Sequence, residues 1–427
     1  MVRRIVAVIA AVTLTLGLSA APARAASPVE TQFAWLIDAS ARLPVPAGEL
    51  AEHVDQVLLT AAGGADGFNN AVRPFSPFTP AAVISSSPTQ LRQLVSSPAG
   101  TLLADVTVNP SGLIAGLRFT PYLPAPATWP AVDSTLRTLA PQVSFAAMRI
   151  SPAGCRLVHG RNPDTVRPLG SAFKLYVLGA LAEAVRSGRL SWDTEVPLNP
   201  AWKSLPSGVM QDQPDGTVHT LAEYANHMIA ISDNTATDHL IHTVGREAVQ
   251  RQFTRFGNTA PNAPVLTTRE FFTLKGWRYP AAASSYAALS PALRKRMLPL
   301  LDRVPLNSIT AWQQPRMINK VEWFGSPVDM CQAYAGLWRQ HEPSVHAALT
   351  LNDGGIALPA AEFRTVWFKG GSEPGVLTLS YFARAADGDL VTASLMLSDP
   401  ARPLDEAAVA PQAVALLRGA IELSAAA

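Results

Sequence analysis

The sequence predicts a two-domain protein of the α/β (α+β) class. Residues 26–125 are expected to form a small α+β module, and residues 126–427 a larger domain in which an antiparallel sheet is flanked by helices. Helical periodicity gives way to strand-like alternation in the first region, a proline-rich segment follows, and strand and helix patterns then recur to the end of the chain. With 48% hydrophobic and 15% charged residues, the 427-residue chain can fill two cores.

The first 25 residues are typical of a signal peptide. Arg3 and Arg4 precede an apolar run over residues 5–20, and the small residues Ala23 and Ala25 occupy the positions that a signal peptidase reads. The run is shorter than the roughly 20 apolar residues that a membrane-spanning helix needs, so we expect cleavage rather than anchoring. The mature chain is therefore predicted to begin near Ala26 and to be secreted or to reside in the cell envelope.

Cysteine positions and charge restrict the possible partners. The two cysteines, Cys155 and Cys331, lie far from the expected cleavage point, so no lipid anchor is predicted there. They are either one disulfide or two buried thiols, and their spacing alone does not decide between these. Without the three arginines of the leader, the 34 basic residues become 31, against 32 acidic residues, which indicates no basic surface for nucleic acid.

The module at 26–125 is predicted to contain two amphipathic helices before residue 75, one of them over "AGELAEHVDQVLL", and then a β-hairpin. The hairpin turn is expected at residues 109–112, where Asn, Pro, Ser and Gly follow one another. The proline-rich stretch at 121–130 cannot continue a central strand and is predicted to link the two domains. Nothing in the module groups residues that would carry chemistry.

The larger domain begins with two predicted strands around a turn at 152–154, followed by "GSAFKLYVLGALAEAV". Ser171 is placed at a helix start, where backbone N–H groups favour negative charge on its oxygen. Lys174 follows one turn later on an apolar helix that ends at Gly188, and loss of hydration there would leave a neutral amine able to act as a base. The alternative is a capping serine beside a lysine whose head reaches solvent.

Two further motifs favour the chemical interpretation. Ser232-Asp-Asn234 stands between an apolar run and a helical pattern, and Lys369-Gly-Gly371 ends a β-rich run. In this order and spacing, the three motifs resemble those of the β-lactamase and penicillin-binding-protein superfamily of serine hydrolases. The resemblance covers about residues 131–427 and implies a helix-flanked antiparallel sheet.

The resemblance also implies roles. Ser171 would attack a carbonyl, Lys174 would accept its proton, and Ser232 would relay a proton to the leaving group. Asn234 would hold Lys174 or a substrate amide, and the backbone N–H groups of Ser171 and Ser372 would form an oxyanion hole. The substrate-binding residues implied are Asn234, Lys369, Gly370, Gly371 and Ser372. The implied partner is a small molecule, namely a β-lactam, an ester or a cell-wall peptide, whose carboxylate Lys369 would bind.

The layout is similar to that of exported actinobacterial serine hydrolases related to the cephalosporin esterase-like protein of clavulanic acid clusters. In that group a domain with a steroid-isomerase-like (NTF2-like) fold precedes the catalytic domain. The same fold is therefore an expectation for residues 26–125.

Two departures from the superfamily pattern bear on turnover. Gly370 stands where threonine or serine is usual, which removes one hydroxyl contact to a substrate carboxylate. No Glu-x-x-Leu-Asn motif follows Ser232, and the acid in the corresponding region, Glu270, is expected to be a helix cap or salt-bridge partner rather than a base. We therefore predict intact acylation with weak β-lactam turnover. The alternatives are a penicillin-recognising or peptidoglycan-binding protein with little turnover, and a D,D-peptidase.

No cofactor and no metal are predicted. His239 and His242 stand three apart, but their neighbours indicate the surface of an amphipathic helix without further ligands. Trp323, Phe324 and Met330 are expected mainly in the core, with the mouth of a substrate pocket as the alternative.

Overall fold

The computed structural model describes residues 26–426, so the predicted signal peptide lies outside the described residues. Within the described part of the chain, no helix combines the length and apolarity needed to cross a bilayer.

Residues 28–121 form helices followed by a four-stranded antiparallel sheet in the order β1-β2-β3-β4. One face of this sheet packs against the helices around Phe33, Leu36 and Val95. The elements are α1 (Pro28–Ser40), α2 (Ala47–His53), α3 (Gln56–Ala62), α4 (Gly64–Val72), β1 (Thr79–Ser86), β2 (Gln90–Ser97), β3 (Gly100–Val108) and β4 (Ile114–Pro121). The α+β character of the module is as predicted.

The prediction of two helices in this module is wrong in two respects: α4 was not predicted, and one predicted helix is two. The segment expected to be one helix is divided into α2 and α3, because Val54 adopts an extended conformation and bridges to Ile114 of the sheet. Asp55 then caps α3 by accepting a hydrogen bond from the Val57 N–H at 2.7 Å. The predicted hairpin turn is confirmed, since Asn109 accepts the N–H groups of Ser111 and Leu113 between β3 and β4.

After irregular residues 122–128, the second region begins with a helix and two strands that run against each other. Its first elements are α5 (Trp129–Leu136), β5 (Gln142–Ser151), β6 (Gly154–Arg161), β7 (Arg167–Pro168), α6 (Lys174–Arg186), β8 (Glu195–Pro197), β9 (Val218–Thr220), α7 (Leu221–Ala230), α8 (Asn234–Val244) and α9 (Arg246–Arg255). A 3₁₀ turn over Gly170–Phe173 leads directly into α6.

The remaining elements complete the sheet. They are α10 (Thr268–Gly276), α11 (Ala281–Ala288), α12 (Pro291–Leu301), β10 (Phe324–Gly325), α13 (Pro327–Gln340), α14 (Pro343–Thr350), β11 (Phe363–Glu373), β12 (Val376–Ala385), β13 (Leu390–Ser398) and α15 (Glu406–Ala425). Every pairing in the five-stranded order β11-β12-β13-β5-β6 is antiparallel. The last strand in sequence, β13, pairs with β5, the first strand of the second region. Most of the helices of this region lie between these two strands in sequence.

The sheet separates two apolar cores. Helices α5 and α15 cover one face through residues such as Leu136 and Leu416. The other face packs against α13 and α14, and α6, which is buried along most of its length, contacts α13 and α8. The predicted antiparallel sheet flanked by helices is confirmed.

The two cysteines form a disulfide. Cys155 on edge strand β6 is bonded to Cys331 on α13, with their Cα atoms 6.3 Å apart, so the bond ties a helix to the rim of the sheet. Of the two alternatives that the sequence left open, the disulfide is therefore confirmed and the pair of buried thiols is wrong.

Candidate active site

Ser171 lies in the 3₁₀ turn that precedes α6, at the mouth of two adjoining cavities. Leu169 and Phe173 on either side are fully buried and hold the turn against the core, while Ser171 itself is half-buried. The turn packs on the edge strand β11. A Cβ atom at Gly371 would overlap Leu169 O and Ser171 N, so only glycine allows the strand to approach the serine this closely.

Lys174 is fully buried on the first turn of α6. Its Nζ donates to the Ser232 carbonyl at 2.5 Å, to the Ser232 hydroxyl at 3.1 Å and to Asn234 Oδ1 at 2.7 Å. Burial, and then the charge of Lys369, hold the pKa of Lys174 well below its ordinary value. Lys174 therefore loses its proton more readily than an exposed lysine.

Ser232 connects the two lysines of the site. Its hydroxyl is 3.0 Å from Lys369 Nζ as well as 3.1 Å from Lys174 Nζ. The backbone at Ser232 has φ of 58°, a left-handed conformation that a serine adopts only when its surroundings impose it.

Asp233 fixes the turn that carries Ser232, a role that sequence reasoning missed. Its buried carboxylate caps α8 through the Ala236 N–H at 2.8 Å and accepts the N–H groups of Val209 and Met210 at 2.7 and 2.9 Å. The following residue, Asn234, donates its amide N–H to Leu205 O, which orients its oxygen toward Lys174. Helix capping by the middle residue of Ser-Asp-Asn is the signal that could have indicated this role.

Lys369 lies on β11 with only 3% of its surface exposed, and donates to Gly370 O at 2.8 Å in addition to Ser232. Burial lowers the pKa of Lys369 to about 7. Among residues 26–426 no carboxylate forms an ion pair with it.

Ser372 follows on the same strand and is exposed at the junction of both cavities. A Cβ atom at Gly170 would lie 3.0 Å from the Ser372 backbone nitrogen. Because Ser171 follows Gly170 directly, the backbone N–H groups of Ser171 and Ser372 lie close to each other. The structure thus brings together all the residues that the motifs singled out.

The larger cavity, about 520 Å³, extends from Ser171 along an apolar wall. The wall is formed by Phe271, Phe272, Ile309, Trp312 and Trp323. Trp323 is stacked on Phe173 with ring centroids 3.8 Å apart, and so lines the cavity while packing against the core. Phe324 and Met330 are buried in the interior as expected.

Glu322 and Glu373 form a buried acidic pair at this cavity, which the sequence analysis did not identify. Glu322 Oε2 accepts the N–H of Trp323 at 2.7 Å and that of Gly170 at 3.3 Å, while Glu373 forms an ion pair with Lys275. Burial and mutual repulsion raise the pKa of Glu322, and burial raises that of Glu373. Alternation along β11 places Glu373 on the same face as Lys369 and Gly371, which is the sequence signal that could have found it.

Comparison with known proteins identifies the fold. The sequence model of the beta-lactamase enzyme family matches residues 154–311, a segment that contains Ser171, Lys174 and Ser232. The solved β-lactamase of Sphaerobacter thermophilus superposes with a TM-score of 0.50 at 20% identity, covering 71% of this chain and 99% of that one. The second region has the β-lactamase fold.

Two further solved structures are similar to the chain. A β-lactamase of Chitinophaga pinensis has a TM-score of 0.46 at 19% identity, covering 69% of this chain and 98% of that one. PBP-A has a TM-score of 0.47 at 17% identity, covering 72% of this chain and 100% of that one. No curated protein sequence matches the chain.

Both departures from the β-lactamase motifs have a structural reason. A Cβ atom at Gly370 would stand 2.8 Å from the tip of the Phe368 ring, so a threonine there would require that ring to shift. Glu270 is fully buried and its two oxygens bind Arg246 at 2.6 and 2.7 Å, one of them also accepting the Thr267 N–H. The predicted cap and salt bridge are confirmed, and Glu270 has no free oxygen for a water molecule.

The histidine prediction is wrong in its placement. His239 is fully buried in α8, where it bonds to Thr235 O and accepts the Asn199 N–H, and His242 is stacked on Trp202. In the described part of the β-lactamase fold and the module before it, no three metal-binding side chains are grouped to hold an ion.

Proposed function

We propose that the chain is an exported serine hydrolase that acts on β-lactam or ester substrates through an acyl-enzyme at Ser171. The observation that carries this proposal is the convergence of Lys174, Ser232 and Lys369 beside Ser171 at the mouth of two cavities. The match of residues 154–311 to the beta-lactamase enzyme family supports it.

Acylation follows from these contacts. Ser171 Oγ attacks the carbonyl carbon, its proton passes to the neutral Lys174 amine, and negative charge develops on the carbonyl oxygen near the N–H groups of residues 171 and 372. When the C–N bond of a lactam or the C–O bond of an ester breaks, Lys174 returns the proton through the Ser232 hydroxyl to the leaving atom. Lys369 in its protonated form would bind a substrate carboxylate.

For deacylation, no comparable set of groups among the described residues is positioned to activate a water molecule. Glu270 is bound to Arg246. In the acidic pair, backbone N–H groups engage one oxygen of Glu322 and Lys275 engages one oxygen of Glu373, while burial raises both pKa values and so favours the uncharged forms. General-base assistance of the attacking water is worth ~10²–10⁴-fold, so a crowded lactam acyl-enzyme should hydrolyse slowly. The less crowded acyl group of a simple ester leaves room for water, and its turnover should be faster.

The lack of a positioned base for deacylation favours a second candidate function. Without a positioned base, the protein would be a penicillin-recognising or peptidoglycan-binding protein that acylates and then stays occupied, or a D,D-peptidase. The apolar cavity beside Ser171 would take the acyl half of either kind of substrate.

Secretion or residence in the cell envelope is part of the proposal. The leader-like pattern at residues 1–25 supports it, and so does the Cys155–Cys331 disulfide, because such bonds persist in oxidising compartments. The four-helix and four-strand module at residues 28–121 supports a place among the exported hydrolases of the clavulanic-acid-cluster type, with an NTF2-like first domain.

Stopped-flow hydrolysis of a chromogenic cephalosporin and of a chromogenic ester tests the function. We expect a burst of about one equivalent of cephalosporin followed by slow turnover, steady turnover of the ester, and neither in Ser171→Ala. Ser187→Ala, at the far end of the same helix, is the matched control and should behave as wild type. A linear cephalosporin trace at the rate of an efficient β-lactamase would contradict the proposal, since it requires a deacylation base.

A further inference from the structure

The N-terminal module contacts the second region around residues 352–360, between α14 and β11, and mainly at the loop of residues 352–357. Arg92 of β2 binds both oxygens of Asp353, at 2.6 and 3.1 Å, and only 13% of the Arg92 side chain is exposed. Next to this ion pair, Ile84 and Leu103 of the module bury Ala357, and Ile84 O accepts the Ala360 N–H at 3.2 Å. The contact is therefore both ionic and apolar.

The 352–357 loop has a conformation that needs such restraint. Gly354, Gly355 and Ala357 have φ of 58°, 75° and 51°, and the last of these is unfavourable for an alanine. Asp353 holds the turn by accepting the N–H groups of Gly355 and Ala357 with the same two oxygens that bind Arg92. Loss of Arg92 would leave this carboxylate with fewer partners and the turn less restrained.

The loop in turn supports the two segments that carry Ser232 and Lys369. Asn352 donates to Ala230 O at 2.8 Å, two residues before Ser232. Gly354 lies against the ring of Phe368, the residue before Lys369, so closely that a Cβ atom there would be 2.7 Å from the ring. Asn352 and Phe368 both line the second cavity, of about 380 Å³, together with Ser232 and Lys369.

We propose that the N-terminal module is a positioning element of the active site: through Arg92 and Ile84 it holds the 352–357 loop, and through the loop it places Ser232 and Lys369 for binding the carboxylate side of the substrate. Only the expected effect on acylation rates rests on the proposed function; the restraint of the loop by the module does not. Arg92 and Asp353 are positioning residues, since neither lines the cavities.

The test compares Arg92→Met with Arg118→Met in the full chain. Arg118 is the matched control because it faces Asp105 on the same sheet, as Arg92 does, but is 66% exposed and forms no ion pair with the second region. Two reagents acylate Ser171 by different routes: a chromogenic cephalosporin bears a carboxylate, whereas a small fluorophosphonate is neutral. Amide hydrogen exchange over 352–357 supplies a readout that does not depend on activity.

In Arg92→Met we expect cephalosporin acylation to fall roughly 3- to 30-fold, the range of couplings carried through packed contacts, while fluorophosphonate labelling changes by less than about twofold. Amides of the 352–357 loop should exchange faster, and Arg118→Met should match wild type in all three measurements. Arg92→Lys keeps the charge but not the bidentate ion pair, so its acylation rate should lie between those of wild type and Arg92→Met. This variant replaces Arg92→Met in the test if Arg92→Met is unstable.

Unchanged exchange at 352–357 in a folded Arg92 variant would overturn the inference, as would equal losses with both reagents. If wild type reacts with neither reagent, the proposed function fails, and the exchange measurement alone still decides whether the module restrains the loop.

Discussion

Ser232 is the residue at which the two lysines of the site meet. Lys174 and Lys369 both reach its hydroxyl, and each is buried, so neither ammonium is well solvated. Burial lowers both pKa values, and the Lys369 charge lowers that of Lys174 further. Both lysines are therefore easier to deprotonate than exposed lysines, and both lie within hydrogen-bond distance of one hydroxyl.

Replacement of Lys174 by arginine separates its charge from its basicity. Arginine keeps a cation at the start of α6 but cannot release its proton at neutral pH, so we expect acylation of Lys174→Arg to fall by ~10²–10⁴-fold. The measurement is the second-order rate of fluorophosphonate labelling, with thermal unfolding to verify that the variant is folded. Lys203→Arg, at a lysine paired with Asp215 outside the site, is the control. Labelling within a few-fold of wild type would mean that another group removes the Ser171 proton.

The pH dependence should report Lys369. Because burial lowers its pKa to about 7, the cation is present below that pH and is lost as the pH rises through it. The second-order rate of acylation by a cephalosporin carboxylate should therefore decline from about pH 6 to pH 8, following the free enzyme. A neutral ester should lack most of this decline. Identical profiles for both substrates would show that Lys369 does not recognise the carboxylate.

Among the elements, α10 and β11 decide the character of the larger cavity. Helix α10 contributes Phe271 and Phe272 to the wall, and its Lys275 neutralises Glu373 of β11. Its own first-turn acid, Glu270, points away to Arg246. The helix thus supplies an apolar surface and a buried ion pair near Ser171, and no free carboxylate.

Substitution of Glu270 should affect stability and not catalysis. Glu270→Gln leaves the Arg246 guanidinium, whose side chain is 17% exposed, without its carboxylate, and breaking such a buried pair costs about 3–5 kcal/mol. We expect a lower unfolding temperature but an unchanged burst and steady rate per folded molecule. Glu247→Gln is the control, since its pair with Lys295 is exposed and should be worth at most about 1 kcal/mol. Loss of steady turnover in Glu270→Gln at full stability would reassign it as a base.

For the whole molecule, local patterns predicted the parts of the site that lie within one element. The helix start at Ser171, the loop at Ser232 and the strand that carries Lys369 each have a short signature of turn residues and periodicity, although that strand continues to Glu373 instead of ending at the lysine motif. Long-range contacts could not be predicted in this way. Lys275 and Glu373 are 98 residues apart, and the disulfide joins residues 176 apart, so no window of sequence contains both partners.

The break between α2 and α3 shows the same limit at smaller scale. The apolar period continues across Val54, but pairing with Ile114, 60 residues later, outweighs the local helical preference. Likewise, the contact of Arg92 with Asp353 depends on how the sheet of the module meets a loop of the second region. Such contacts are decided by tertiary packing, which one sequence without its structure does not display.

The central claim is that Ser171 is the nucleophile, and peptide mapping after covalent labelling tests it most directly. Wild-type protein is treated with a fluorophosphonate or a β-lactam, digested with trypsin and analysed by mass spectrometry, beside Ser171→Ala and Ser187→Ala. We predict one adduct, on the peptide that contains Ser171, in wild type and Ser187→Ala, and none in Ser171→Ala. An adduct that persists in Ser171→Ala, or one carried by a different peptide in wild type, would contradict the account.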